Sequence, residues 1–209
     1  MDYNKLIELR KKVSDRIELL THEDKFDLSI RYLTHIHEVL FKGIFPTNGS
    51  FRKYNLNKDE DILNGEGVDY PDYNTVPSFL RFAFYDESKV NYHNLTNEEV
   101  AKHVAYFASV IWQIHPFIEG NTRTTCVFIE NYLNYLGYKV NNDVFKENAE
   151  YFRNTLVRAS YHNEKYGIEK NIIPLENFLI NVLNNQDIEK EDLYVNELFK
   201  NKKTKKRSK

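Results

Sequence analysis

Apolar residues recur along this chain at the spacing of buried helices, and the recurrence is strongest on either side of one polar stretch. Val100, Val104, Phe107, Ile111 and Ile114 step by three or four, which predicts a helix with a single apolar face. A Thr96-Asn-Glu-Glu99 capping box starts it. Beyond the polar stretch Thr125, Ile129, Tyr132 and Leu136 resume the spacing, and Gly137 supplies a stop. Earlier, Leu6, Val13, Ile17 and Leu20 predict a helix over 3–20, with a break at 21–24. Phe26, Ile30, Leu33, His37 and Leu40 form the next stripe. Further helices are expected over 76–86, through Phe145, Ala149, Phe152, Leu156 and Ala159 behind an Asn142-Asp143 cap, and from Leu175 to Leu183 after Pro174. A weaker stripe follows at Ile188, Leu193 and Leu198.

The helical period fails between Gly43 and Asn57, where Pro46–Ser50 is a turn cluster. The run 61–70 then reads as two short strands about an Asn64-Gly65 turn. A lone hairpin is marginal in water, so this one is expected to lie on the helices. The pattern predicts an all-α bundle carrying one small β-hairpin.

Composition narrows the class. At 209 residues the chain suits one domain, expected over 1–199 with a core of about 24–184 and a basic, disordered tail at 200–209. Hydrophobic residues are 41% and aromatics 14%, so Tyr and Phe carry much of the core volume. A formal net charge of −2 argues against a general nucleic-acid binder. The single cysteine, Cys126, excludes an internal disulfide framework, and its helical setting reads as core filler rather than nucleophile. No apolar run approaches the roughly 20 residues that span a bilayer. A bacterial cytoplasmic protein is the expectation, with secretion into a host left open.

The polar stretch itself, His115-Pro-Phe-Ile-Glu-Gly-Asn-Thr-Arg123, carries the candidate chemistry. Gly120, Asn121 and Thr122 stand at a helix start, where backbone N–H groups lack intrahelical partners and the dipole favours an anion. Arg123 adds a forked cation for a second phosphate. Glu119 offers a hard oxygen ligand for Mg²⁺. His115, closing the previous helix, can take a proton from a hydroxyl near neutral pH. By contrast His35 and His37 are two apart, a poor metal pair on a helix, and His37 reads as a satisfied core or boundary histidine.

This stretch resembles the signature of the Fic domain, and the likeness extends from Ile36–Phe41 to Tyr151–Asn154 and Ser160-Tyr161. The resemblance implies a Fic-type helical bundle with the hairpin as a flap over the active-site loop. It implies a protein adenylyltransferase that moves AMP from ATP to a Tyr, Thr or Ser hydroxyl of a target protein. His115 would be the base, Glu119 the Mg²⁺ ligand, Gly120–Thr122 with the Asn121 side chain the anion cradle, and Arg123 the grip on the tail phosphates. Ile62, Leu63, Asn64, Gly65 and Val68 would form the flap on which the target adds as a strand. Two positions depart from the family pattern: Thr122 stands where adenylyltransferases have Gly and Doc toxins Lys, and Cys126 where many adenylyltransferases have a second arginine. A Doc-like phosphotransferase toxin that moves the γ-phosphate, and a nucleotide-binding pseudoenzyme, therefore stay open. Family members are often restrained by a Ser/Thr-x-x-x-Glu-Gly/Asn helix, in the chain or in a small antitoxin-like partner. Here Ser14 and Glu18 give the nearest match, with Leu19 in place of Gly or Asn, and no built-in glutamate switch is expected.

Overall fold

The computed structural model describes residues 3–21 and 25–196. The expected basic tail, Leu198, most of the break at 21–24 and the Leu6 side chain lie outside the described residues. Among the described residues eight α-helices follow one another: α1 (Tyr3–Thr21), α2 (Ile30–Phe41), α3 (Val76–Glu87), α4 (Asn97–Ile114), α5 (Asn121–Tyr135), α6 (Asn142–Glu147), α7 (Ala149–Ser160) and α8 (Ile173–Leu183).

Helix α4 is the centre, packed against α3, α5, α7 and α8, while α5 also receives α1 and α2. Its placement follows from the stripe: Val100, Val104, Phe107 and Ile111 are all buried. Thr96 starts it with both halves of the capping box present. Two aromatic clusters fill the space around it. Phe84, Phe107, Phe128 and Tyr132 meet mostly edge-to-face on one side, and Phe145, Phe152 and Phe178 meet on the other. Buried Glu87 crosses the first cluster and accepts from the hydroxyls of Tyr92 and Tyr132 at 2.5 and 2.6 Å.

Three expectations need correction. The segment read as one helix from Asn142 to Ala159 is two, α6 and α7, parted at Asn148, whose backbone (φ −115°, ψ 20°) leaves the helical region. The cap before it is Asn141, which accepts from the Asp143 N–H. The stripe at Ile188 and Leu193 is not helical: Leu193 and Val195 are buried with exposed Tyr194 between them, the alternation of extended chain.

The hairpin flap is the third. The Asn64-Gly65 turn forms, with φ of 57° and 83°. It is closed by one antiparallel bridge, Glu60 to Glu66, and no strands extend from it. Asp61–Leu63 coils into a 3₁₀ turn instead. The physical reason is that Ile62 and Leu63 are adjacent and both apolar. A strand would turn one of them to water, whereas the tight turn buries both, at 2% and 0% exposure. Val68 is buried as well. The Ile62 carbonyl already accepts from Val195 N–H at 3.0 Å. The side chains expected to offer register to a target strand are therefore core residues.

Candidate active site

The polar stretch connects α4 to α5, and its shape comes from two left-handed residues. His115 caps α4 at φ 50°, ψ 59°, which turns the chain sharply and swings the imidazole inward. Gly120 begins α5 at φ 83°. A Cβ there would lie 2.3 Å from the Phe41 ring, so both the backbone angle and the close approach require glycine. Phe117 is pinned in the core, stacked on His37 at 3.8 Å.

His37 supports the loop rather than the chemistry. Its Nδ1 accepts from Gly49 N–H at 2.8 Å, so Nε2 carries the proton and donates to the Glu119 carbonyl at 3.0 Å. Asn121 has a role the sequence did not suggest. Its Oδ1 accepts from Phe117 N–H at 2.9 Å and its Nδ2 donates to the Phe117 carbonyl at 2.7 Å. The side chain expected to bind an anion directly is buried, with its oxygen and one N–H engaged in closing the loop. What Asn121 offers an anion is its backbone N–H, with those of Thr122 and Arg123 in the first turn of α5.

His115 is buried to 4% exposure. Its Nδ1 lies 3.3 Å from the Trp112 carbonyl, a contact only an Nδ1–H tautomer can make. Nε2 is then the unprotonated nitrogen, buried and without a hydrogen-bond partner. Burial first, then the cation Lys58, with smaller pushes from Arg52 and Arg153, hold its pKa down at about 3, against the pull of the Trp112 carbonyl. The imidazole is neutral, with its lone pair presented to the site.

Thr122 turns its hydroxyl away from the cradle, accepting from Trp112 Nε1–H at 2.9 Å. Arg123 sits over the Phe41 ring at 5.9 Å. Partial burial and the neighbouring cation Arg10 lower its pKa, while Glu119 pulls it back up. Arg123, Thr122 and Cys126 line a cavity of about 780 Å³ with Arg10, Ser14 and Ile17 of α1 and with Phe145 and Lys146 of α6. Burial pushes the Cys126 thiol well up, away from a reactive thiolate. Glu18, one turn beyond Ser14, is not among the lining residues.

Facing the loop is the segment from Arg52 to Pro71, with four residues that sequence reasoning missed. Arg52 is buried and donates to the carbonyls of His115 (2.8 Å), Tyr54 (3.1 Å) and Pro71, while its own N–H reaches Pro116. Lys58 Nζ pairs with Glu119 Oε2 at 3.0 Å. Glu60, 1% exposed, meets Arg153 of α7 at 2.5 Å as an ion pair rather than an aligned hydrogen bond. Desolvation still outweighs that pairing and raises the Glu60 pKa. Tyr70 stacks on His115 at 4.1 Å. A mid-chain arginine or glutamate carries no local sign that its partners lie sixty or ninety residues away. Arg153 alone had a signal, in the likeness around Tyr151–Asn154.

The chain is similar to proteins already known. The model of the Fic/DOC family matches residues 27–133, just over half of the chain. A protein adenylyltransferase of Bartonella henselae is 30% identical over 123 residues, covering 53% of this chain and 22% of its own length. A protein of Sinorhizobium fredii named as a probable protein adenylyltransferase is 27% identical over 133 residues, covering 64% and 66%. The chain thus spans about a fifth and about two thirds of the curated relatives it matches. Among solved structures, the BepC effector protein of Bartonella tribocorum with bound AMPPNP superposes with a TM-score of 0.68 at 19% identity, covering 87% of each chain.

Proposed function

This chain belongs to the Fic/DOC family, and on that premise we propose that it is a protein adenylyltransferase. The observation that carries the reading is the unprotonated, partnerless Nε2 of His115, held by the Nδ1–H bond to Trp112 beside the first turn of α5. A base and an anion cradle in one rigid turn suit attack of a hydroxyl on a phosphorus atom. The names of the two curated relatives support AMP as the group transferred.

In this reading the target's hydroxyl oxygen bonds to the α-phosphorus of ATP as the bond to the β-phosphate oxygen breaks. His115 Nε2 accepts the hydroxyl proton, and diphosphate leaves. The N–H groups at the start of α5 stabilise charge on the phosphoryl oxygens, and Arg123 grips the tail phosphates. Glu119 fits a Mg²⁺ ligand: its carboxylate is half exposed on the loop, and no cluster of three or more potential ligands occurs among the described residues. That donor set suits an ion held by one carboxylate plus substrate phosphates, where it would offset phosphate charge. Lys58 must then release Glu119.

The Thr122 hydroxyl, engaged by Trp112, adds neither bulk nor charge to the cradle, which favours adenylyl transfer over a Doc-like reaction. A small antitoxin-like partner would have to reach the cavity of about 780 Å³ at Arg123. No helix among the described residues is long and apolar enough to cross a membrane. The cytoplasm stays the proposed place of action, with secretion into a host left open. The test is incubation with ATP labelled at the α- or the γ-position in a cell extract. Protein labelled only from the α-position supports the proposal. Label only from the γ-position would replace it with phosphotransfer, and none from either would leave a pseudoenzyme.

A further inference from the structure

We infer that Tyr70 is the positioning residue for His115, its ring fixing the imidazole plane and its hydroxyl reserved for an oxygen of the bound phosphate. This rests on His115 being the base. The two rings stack at 4.1 Å with 28° between planes, and Trp112 stands edge-on to both, at 6.2 Å from Tyr70 and 5.7 Å from His115. The imidazole is thereby held on one face by a phenol and at its edge by an indole. Backbone bonds fix the pair in the same sense: the Arg52 guanidinium donates to the carbonyl of His115 and to that of Pro71, next to Tyr70.

The hydroxyl is the more telling half. Tyr70 Oη is buried and makes no hydrogen bond, and neither does His115 Nε2. Two orphan polar atoms on two stacked rings cost stability, and phenylalanine would give the same stack without one of them. Burial, with Glu60 and Glu119 nearby, keeps the phenol protonated, against the pull of Arg153 and Arg52. The phenol is therefore a donor and Nε2 an acceptor. A hydroxyl giving up a proton to Nε2 and a phosphoryl oxygen gaining charge would satisfy both atoms at once.

Two variants of the full chain separate ring from hydroxyl. Tyr70→Phe keeps the stack and removes the donor, while Tyr70→Leu removes both. One readout is steady-state AMP transfer. The other is the ¹⁵N spectrum of histidine-labelled chain without substrate, with the His115 signals assigned from a His115→Gln sample. Tyr70→Phe should keep a fixed Nδ1–H tautomer and the KM for ATP, with kcat lower on the order of 10²-fold, as for loss of one transition-state donor. In Tyr70→Leu the two ring nitrogens should average as the imidazole becomes free, and kcat should fall further. An unchanged spectrum in Tyr70→Leu overturns the positioning role, and wild-type kcat in Tyr70→Phe overturns that of the hydroxyl. If the wild-type chain transfers no AMP, the function proposed above fails, yet the spectrum still decides the positioning role. Should Tyr70→Leu not fold, a Tyr70→Met spectrum replaces it with the same two outcomes.

Discussion

The turn of residues 115–123 and the segment of residues 58–70 face each other across the site, and they are held by different forces. Apart from the Arg52 guanidinium on the His115 carbonyl, the turn is fixed by uncharged contacts: the Asn121 amide on Phe117, the His37 ring on the Glu119 carbonyl, and Trp112 on His115 and Thr122. The opposite segment is tied down largely by charge, through Lys58 on Glu119 and Glu60 on Arg153. Uncharged bonds in a packed core do not respond to salt or to an incoming phosphate, so they suit the group that must keep its geometry. The more exposed Lys58–Glu119 pair answers to both, which suits a cover that, in the proposed function, yields Glu119 to substrate, whereas the buried Glu60–Arg153 pair is screened far less.

The largest expected effect comes from removing the base. His115→Ala should lower transfer by ~10²–10⁴-fold, the usual share of general-base assistance. It should also change how stability depends on pH, and the sign follows from proton counts. The folded histidine titrates at about 3 and the unfolded one near 6.5, so between these values the unfolded chain binds more protons. Stability then rises with pH through that window and is lost as pH falls, by up to about 1.4 kcal/mol per unit. Urea titrations of wild type and variant from pH 4 to 7 check this, and equal slopes would refute the buried neutral state. The same low value predicts that kcat/KM does not fall through His115 protonation at mildly acid pH.

Arg52 is the hinge of the comparison, since it bonds to both regions. Arg52→Ala leaves the buried carbonyl of His115 and the part-buried one of Pro71 without this donor, at about 1–3 kcal/mol for a buried group left unsatisfied and less for the other. Denaturant unfolding should register that loss, with a smaller loss for Arg52→Lys, which keeps a charge but not the fork. A variant as stable as wild type would show that water replaces those bonds.

On the side of the segment, Glu60→Gln probes the opposite sign. A carboxyl whose folded pKa lies above 4.5 binds more protons folded than unfolded just above that value, so it makes stability fall as pH rises through the window. The variant should lose that falling limb while leaving the rise due to His115 intact. A falling limb that survives in the variant would belong to another group, and wild type without one would mean that Arg153 outweighs desolvation at Glu60.

How much of this was legible in the sequence divides along the same line. The turn was readable because its residues are contiguous and act on one another or on the helix they cap: His115, Glu119, Gly120 and Arg123 all stand where the pattern put them. Asn121's part in closing the loop was not readable because an amide at a helix start suits an anion and a loop backbone equally well, and only packing shows the second. The segment was misread because an Asn-Gly turn signals a hairpin whatever its flanks do. What excluded the strands was tertiary, the burial of Ile62, Leu63 and Val68 against the bundle. Arg52, Glu60 and Tyr70 stayed invisible because each acts on a residue far along the chain.

The smallest expected effect lies at the far end of the turn, where α1 meets Arg123. Ser14 lines the cavity there with Arg10, Arg123 and Cys126, so α1 lies close enough to regulate. A restraining carboxylate in that cavity would need a cation: the position three residues after Arg123 is a thiol whose pKa burial has raised, which leaves Arg10 and Lys146 as the lining cations besides Arg123. In the proposed function Arg123 grips the tail phosphates, so a restraining carboxylate would have to compete with substrate for it or turn to Arg10 or Lys146. Glu18 also lies outside the cavity lining, with Leu19 behind it where the inhibitory pattern requires a small or amide residue. Glu18→Gly should therefore leave AMP transfer within a few-fold of wild type, apart from the ordinary cost of glycine within a helix, about 1 kcal/mol. Measuring transfer for both chains under matched ATP settles it, since relief of an inhibitory contact would raise activity by orders of magnitude. Such a rise would make a cation of that cavity, Arg123, Arg10 or Lys146, the partner of Glu18 and α1 a gate.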